Sequence, residues 1–165
     1  MPQSSFLKSR NKKILSLVFS LGILTSCGVP YLKGVTLEGR KVYLGPVPIE
    51  STEAYRNFLQ SKRTEVDKQR YLFQRLKDSQ GLEFYRDGTW YNALQAYRGG
   101  MWLMRNRYQK GQDTRSFILK YVDRSEQTGK LHLVKYPDGS LQLGSSILFN
   151  ELDLLEEKKG KNENT

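Results

Sequence analysis

The chain has 165 residues, and its 27 lysines and arginines against 17 aspartates and glutamates give a formal net charge of +10. One cysteine and one histidine exclude a disulfide scaffold and a zinc site built from those two residue types. A hydrophobic content of 38% with 12% aromatic residues is too high for a disordered tract. The length suits one domain with a real core.

The first 26 residues have the three-part plan of a secretory signal peptide. A basic stretch that ends at Lys13 is followed by an apolar run over residues 14–24 and then by two small residues. A membrane-spanning helix needs about 20 apolar residues, so this run is too short to favour a permanent span. The basic stretch holds four of the net positive charges, and the remaining chain is therefore only mildly basic.

Residues 24–27 read Leu-Thr-Ser-Cys and resemble the lipobox of bacterial lipoproteins. The resemblance implies cleavage between Ser26 and Cys27, with fatty acyl chains such as palmitate attached to Cys27. It places the protein in the cell envelope, anchored to the membrane by this lipid. Gly28, where an aspartate would signal inner-membrane retention, favours the outer membrane in a cell that has two. The alternative is a secreted protein whose lone cysteine lies near the cleavage site by chance.

Residues 27–50 are rich in glycine and proline and predict a lipid-anchored tether, which either contains a small hairpin over residues 34–44 or is irregular throughout. A helix is predicted to start after Ser51 or Thr52, and no glycine or proline interrupts it before Gly81. Its apolar positions recur at helical spacing, whereas charged residues such as Arg75 lie mainly off that face.

The next elements are a hairpin, two helices, a second hairpin and a last helix. Asp87-Gly88 predicts the first hairpin turn. Asn92 predicts the cap of a second helix, with a kink or break at Gly99-Gly100, because glycine weakens a helix interior. Asp113 or Thr114 caps a third helix, and Pro137-Asp138-Gly139 predicts the second hairpin turn.

The predicted fold is therefore α+β, with about four helices and two short β-hairpins in one domain over residues 51–155. The last helix runs through Leu155. Residues 156–165 contain no apolar side chain and predict a disordered, solvated tail.

The turn, cap and motif residues of these elements occur in a recognisable order along the chain. The chain contains, in sequence, Ser79, Phe84-Tyr85-Arg86-Asp87-Gly88, Tyr91, Ala93, Ala96, Arg105-Asn106-Arg107-Tyr108, Thr114, Phe117-Ile118, Ser125-Glu126-Gln127-Thr128-Gly129-Lys130, Asp138-Gly139 and the leucines from Leu148 to Leu155. This order resembles the YfeK-like family of small exported bacterial proteins of unknown function, over about residues 70–155. Asp87 stands where that family usually has asparagine, and Thr128 where it has serine. The resemblance implies a fold and an exported location, but no activity.

No catalytic residue, metal ligand or cofactor site is predicted. Residues 127–130 echo the end of a phosphate-binding loop, but the first glycine and the final hydroxyl residue of that motif are missing. His132 has no nucleophile or carboxylate beside it in the pattern and is interpreted as a histidine on a surface strand. Ser125 and Lys130 have the wrong spacing for a serine–lysine nucleophile.

A run of positive charge interleaved with aromatic residues is the best candidate for a binding face. Its members are Arg86, Tyr91, Arg98, Trp102, Arg105, Arg107 and Tyr108. Behind a lipobox, such a face favours anionic lipid headgroups, envelope polymers or an acidic protein surface, and no nucleic acid is expected as partner. The alternative is that the aromatic residues fill the core while the arginines keep its surface soluble.

The sequence thus predicts a membrane-anchored envelope lipoprotein that acts as a non-catalytic binding or structural module. Its partner would be an envelope protein or an anionic envelope polymer. One alternative is an envelope hydrolase whose acidic and hydroxyl groups meet only in the fold; another is an accessory to secretion or assembly. Carboxylates gathered around His132 would favour the hydrolase, and a flat basic patch would favour the binding module.

Overall fold

The computed structural model describes residues 30–163, and the predicted signal peptide with Ser26 and Cys27 lies outside them. Two 3₁₀ turns, Pro30–Lys33 and Ile49–Ser51, precede the first helix. The regular elements that follow are α1 (Glu53–Gln60), α2 (Glu65–Lys77), β1 (Glu83–Arg86), β2 (Thr89–Asn92), α3 (Ala93–Arg107), α4 (Thr114–Tyr121), β3 (Leu133–Lys135), β4 (Leu141–Leu143) and α5 (Gly144–Glu163).

The four strands form one antiparallel sheet in the order β2-β1-β3-β4, so the two predicted hairpins join through β1 and β3. Phe84 lies opposite both Tyr91 and Val134; Val134 is buried in the core, and Phe84 packs against it. The first hairpin turn places Asp87 at φ 52° and Gly88 at φ 94°, the left-handed geometry that favours Asp-Gly in a tight turn. The predicted α+β class is confirmed.

The first predicted helix is two helices, because a second start signal lies inside it. The Asp67 carboxylate accepts a hydrogen bond from the Thr64 amide at 3.1 Å and so caps the beginning of α2. Arg63, just before it, has φ 54°, which no helix accommodates. The prediction of an uninterrupted helix was wrong, since this local cap outweighs the continuous apolar spacing.

Helix α3 begins at the predicted Asn92 cap but runs without a break through Gly99 and Gly100. The predicted kink or break is absent because Gly100 serves close packing. A Cβ atom at this position would lie 2.2 Å from the Phe73 ring, so only glycine lets α3 approach α2 this closely. Packing between the two helices offsets the low helix propensity of glycine.

The described part of residues 27–50 is folded onto the domain and is not a tether. Leu44 and Ile49 are buried in the core. The Asn150 side chain of α5 donates hydrogen bonds to the carbonyls of Gly34 at 2.6 Å and Val42 at 2.8 Å. Between these two carbonyls lies a small turn, which an isolated antiparallel bridge between Val35 and Lys41 closes. It falls within residues 34–44, for which the sequence allowed either a hairpin or an irregular segment.

Helix α5 also continues through residues that were predicted to be a disordered tail, as far as Glu163. Glu156 pairs with Lys68 of α2 at 2.9 Å, and Lys158 pairs with Glu50. The last turns of α5 lack apolar side chains and are instead tied to the domain by ion pairs. Because the partners lie far away in sequence, the local pattern did not reveal these contacts.

A buried ion pair, Arg75–Glu151, joins α2 to α5. Arg75 is 1% exposed and Glu151 is 0% exposed, and the Arg75 Nε atom lies 2.7 Å from Glu151 Oε1. Tyr71 donates its hydroxyl to the same oxygen at 2.8 Å, and Arg75 also donates to the Val47 carbonyl at 3.2 Å. The expectation that Arg75 lies mainly off the buried face was therefore wrong.

The buried pair influences the pKa of Arg75 and of the neighbouring Tyr71. Burial opposes the charged form of Arg75, but the negative charge and hydrogen bond of Glu151 outweigh it and raise the pKa of the guanidinium. Burial, with the charge of Glu151, also raises the pKa of Tyr71 far above its ordinary value. Tyr71 thus remains a hydrogen-bond donor to the carboxylate.

Arg75→Met is expected to lower the free energy of unfolding by about 3–5 kcal/mol, because it leaves the Glu151 carboxylate buried without a counter-charge. Adding Glu151→Gln should recover part of this loss, since the amide oxygen still accepts from Tyr71. Urea unfolding followed by circular dichroism measures both. Arg70→Met, which removes a partly exposed ion pair on the same helix, should cost about 1 kcal/mol or less. Equal losses for Arg75→Met and Arg70→Met would contradict a structural role for the buried pair.

Candidate functional site

An open cleft of about 330 Å³ lies between α3 and the sheet. Its walls are mostly apolar and include Phe73 and Leu76 of α2, Ala96 and Leu103 of α3, and Phe84 of β1. The few polar side chains along it include Arg86, Gln95 and His132. A largely apolar cleft of this size with a small number of polar groups is typical of a small-molecule site.

Gly99 and Gly100 both line this cleft, but they meet different surroundings. Gly100 is buried against Phe73, whereas a Cβ atom at Gly99 would have no heavy atom within 4 Å. Packing thus requires glycine at position 100 only. Position 99 is exposed at the cleft, and no packing contact explains the glycine there.

His132 is half-buried at the cleft and lies directly before β3. Its Nδ1 atom is 3.1 Å from the Val122 carbonyl, and Nε2 is buried without a hydrogen-bond partner among the described residues. The interpretation as a histidine on a surface strand was wrong, because the residue precedes β3 and its Nε2 atom is buried. The Gly144 amide donates to the His132 carbonyl at 2.9 Å.

The environment of His132 favours the neutral imidazole. Burial is the largest cause that lowers its pKa, and the positive charge of Arg86 lowers it further. The hydrogen bond to Val122 and the charges of Asp87 and Asp123 act in the opposite direction but do not cancel the effect.

Asp87 fastens the loop after α4 to the first hairpin. Its carboxylate accepts a hydrogen bond from Ser125 Oγ at 2.9 Å and another from Thr128 Oγ1. It also pairs with Arg86 Nε at 3.3 Å. The Thr128 hydrogen bond is the main cause that lowers the pKa of Asp87. The Asp87-Gly88 turn and the loop over residues 125–130, about forty residues apart in sequence, thus form one structural contact. The Ser125 hydroxyl is used in this contact.

The two serine hydroxyls near His132 donate hydrogen bonds to carboxylates. Ser145 donates its hydroxyl to Asp123 at 2.7 Å, and Ser125 donates to Asp87. Within residues 30–163, neither serine hydrogen-bonds to the imidazole, so neither forms a nucleophile–base pair with it. The same part of the chain contains no group of three potential metal ligands.

The predicted basic and aromatic face divides into separate parts. Arg98, Trp102 and Arg105 share one exposed face of α3 with Leu94, at spacings of three or four residues. We call these four residues the α3 stripe. Trp102 is 53% exposed and Leu94 is 47% exposed. In the described part of the chain, no acidic residue pairs with Arg98 or Arg105.

The other predicted members lie elsewhere. Arg86 and Tyr91 belong to the strands and line the cleft. Arg107 pairs with Glu126 at 3.3 Å, and Tyr108 is half-buried against the core. The sequence did not reveal the packing role of Gly100, because two adjacent glycines in a helix resemble a simple break.

Since His132 is the only histidine, its imidazole signals in an NMR titration are unambiguous. We expect a pKa below the ordinary value of about 6.5. Arg86→Gln should raise this pKa because it removes a positive charge, and Asp87→Asn should lower it further. The unfolded chain binds a proton that the folded one resists, so the free energy of unfolding should fall as pH drops below about 6.5.

The matched control for this titration is Arg107→Gln, which removes an exposed arginine whose charge does not influence the imidazole. It should leave the pKa of His132 unchanged. An unaltered pKa in Arg86→Gln would show that the guanidinium does not act on the ring.

Comparison with known proteins identifies a family for this chain but gives no relative of known function. No curated protein and no solved structure matches the chain. Among the described residues, no helix combines the length and apolar character needed to cross a membrane. A model described as a family of unknown function, DUF5329, matches residues 60–156, which are more than half of the chain. The chain therefore belongs to the DUF5329 family.

Proposed function

We propose that the protein is a lipid-anchored, non-catalytic binding module of the bacterial cell envelope, and that the α3 stripe binds an anionic partner there. The observation that carries this proposal is the stripe itself. Arg98 and Arg105 flank an exposed tryptophan, and neither has an acidic partner in the part of the chain described. Arginine and tryptophan are the residue types most enriched where proteins bind their partners.

The anchor rests on the lipobox at residues 24–27. The resemblance of the ordered motifs to the exported YfeK-like family supports the same location. The described fold begins at Pro30, three residues after Cys27, and three extended residues span at most about 11 Å. A lipid on Cys27 would therefore hold the domain close to the membrane surface, where anionic headgroups and polymers are concentrated.

The chemistry of the stripe selects the partner. A guanidinium group binds phosphate or carboxylate through two parallel hydrogen bonds. Trp102 and Leu94 add apolar surface beside these charges. Such a surface fits a partner with closely spaced acidic groups and an apolar part between them, and its binding weakens as salt increases.

Cys27→Ser is expected to move the protein from the membrane fraction to the soluble envelope fraction, because it removes the only acylation site that the lipobox offers. The domain should remain folded, since Cys27 precedes the described fold. Fractionation, intact mass and circular dichroism measure these outcomes. Ser26→Ala, which keeps a small residue in the lipobox, should stay at the membrane. Membrane association that survives Cys27→Ser would refute the anchor.

Arg98→Glu combined with Arg105→Glu should weaken binding to phosphatidylglycerol vesicles or to a soluble polyanion by about tenfold or more. Both probes are tested in the Cys27→Ser background, so that no lipid of the protein itself enters the vesicles. The free energy of unfolding should change by about 0.5 kcal/mol or less, because both side chains are exposed.

The control for the stripe is Arg107→Glu with Lys110→Glu, an identical change of charge at exposed positions outside it. This variant should retain most of the binding. A loss equal to that of the stripe variant would show that only net charge matters. Binding of vesicles alone identifies lipid headgroups as the partner, and binding of the soluble polyanion alone identifies a polymer.

A further inference from the structure

We infer that the cleft between α3 and the sheet is a binding site for a small amphipathic molecule, with one apolar chain in the cleft and an acidic head group at Arg86. This site is separate from the α3 stripe and does not depend on it. Its ligand class follows from the shape of the cleft, the residue at its edge and the charge beside it.

The shape accommodates one apolar chain. A cleft of about 330 Å³ lies at the lower end of the range for small-molecule sites. Phe73, Leu103 and Phe84 present apolar surface from α2, α3 and β1. Protein interiors are normally filled to the density of organic crystals, so an apolar space that stays open between packed elements is unusual.

Gly99 supports a function for this space. Glycine in a helix interior is unfavourable relative to alanine, and at Gly100 the close approach of Phe73 explains it. At Gly99 no neighbour requires it, because a Cβ atom would enter open space. Gly99 lines the cleft and carries no side chain, so no atom from this position covers the cleft edge.

Arg86 supplies the charge for an acidic head group. Its side chain is 43% exposed, and its Nε atom pairs with Asp87. The other guanidinium nitrogens have no partner among the described residues. The Asp87 carboxylate accepts hydrogen bonds from Ser125, Thr128 and Arg86 Nε, which leaves the other two guanidinium nitrogens of Arg86 as donors for a head group.

The test is a titration of the whole chain carrying Cys27→Ser with dodecanoate or dodecanol, followed through the imidazole signals of His132. This ring lines the cleft and belongs to the only histidine, so its signals report on the site directly. Saturable shifts with both probes are expected. The absence of a saturable shift with both would overturn the proposal.

Two substitutions at Gly99 locate the ligand. Gly99→Phe should fill the edge of the cleft and weaken binding of both probes by about tenfold or more, whereas Gly99→Ala should change it by about twofold or less. Both replacements favour the helix over glycine, so lost binding does not reflect unfolding. Unchanged binding by the folded Gly99→Phe variant would place the ligand elsewhere and overturn the assignment.

Arg86→Gln tests the head group. It should weaken binding of dodecanoate about three- to fivefold, the effect of a partly exposed ion pair, and leave dodecanol unaffected. Equal effects on the two probes would overturn the acidic head group. The double change at Arg98 and Arg105 should leave dodecanoate binding intact, so that failure of this site and failure of the α3 stripe are distinguishable.

Discussion

The ion pair between Arg75 and Glu151 is the interaction on which the arrangement of the domain depends. Two charges removed from water need each other and further polar partners, or the folded state loses several kcal/mol. Here the partners come from three parts of the chain: Tyr71 beside Arg75 in α2, Glu151 in α5, and the Val47 carbonyl and Leu44 amide in the N-terminal segment. The pair therefore specifies where the N-terminal segment lies. It also explains why a segment rich in glycine and proline packs onto the core.

Close packing of α2 and α3 determines where the cleft lies. Gly100 lets the two helices approach over Phe73, and the residue before it, Gly99, leaves open space beside the sheet. Two adjacent glycines thus differ in their surroundings: Gly100 contacts the Phe73 ring, and Gly99 borders open space at the cleft. The same helix presents Arg98 and Trp102 to solvent on another of its faces. A single element consequently borders both of the proposed binding sites, so substitutions along α3 test both proposals.

The fold class and most helix starts could be predicted from the sequence, because they depend on local signals. Asn92 caps α3 through a hydrogen bond to the amide three residues later, and Asp87-Gly88 forms its own turn. What could not be predicted depends on distant partners. Arg75 is buried because it pairs with Glu151, which lies 76 positions away in sequence. The last turns of α5 pair with Glu50 and Lys68, which are farther away still. The cleft likewise needs α2, α3 and the sheet together.

Some residues of the sequence motifs and patterns are explained by contacts within the fold, and others are not. The second kind are the better candidates for binding residues. Asp87, Ser125 and Thr128 account for two of the ordered motifs as one contact between a hairpin turn and a loop. The motif resemblance therefore concerns architecture, and a shared chemistry does not follow from it. Gly99 and Trp102 have no such structural explanation, since one faces open space and the other faces solvent. Glycine in a helix interior is unfavourable relative to alanine, and no contact explains it at position 99. Gly99 and the exposed Trp102 are therefore the positions on which the two proposed binding sites depend.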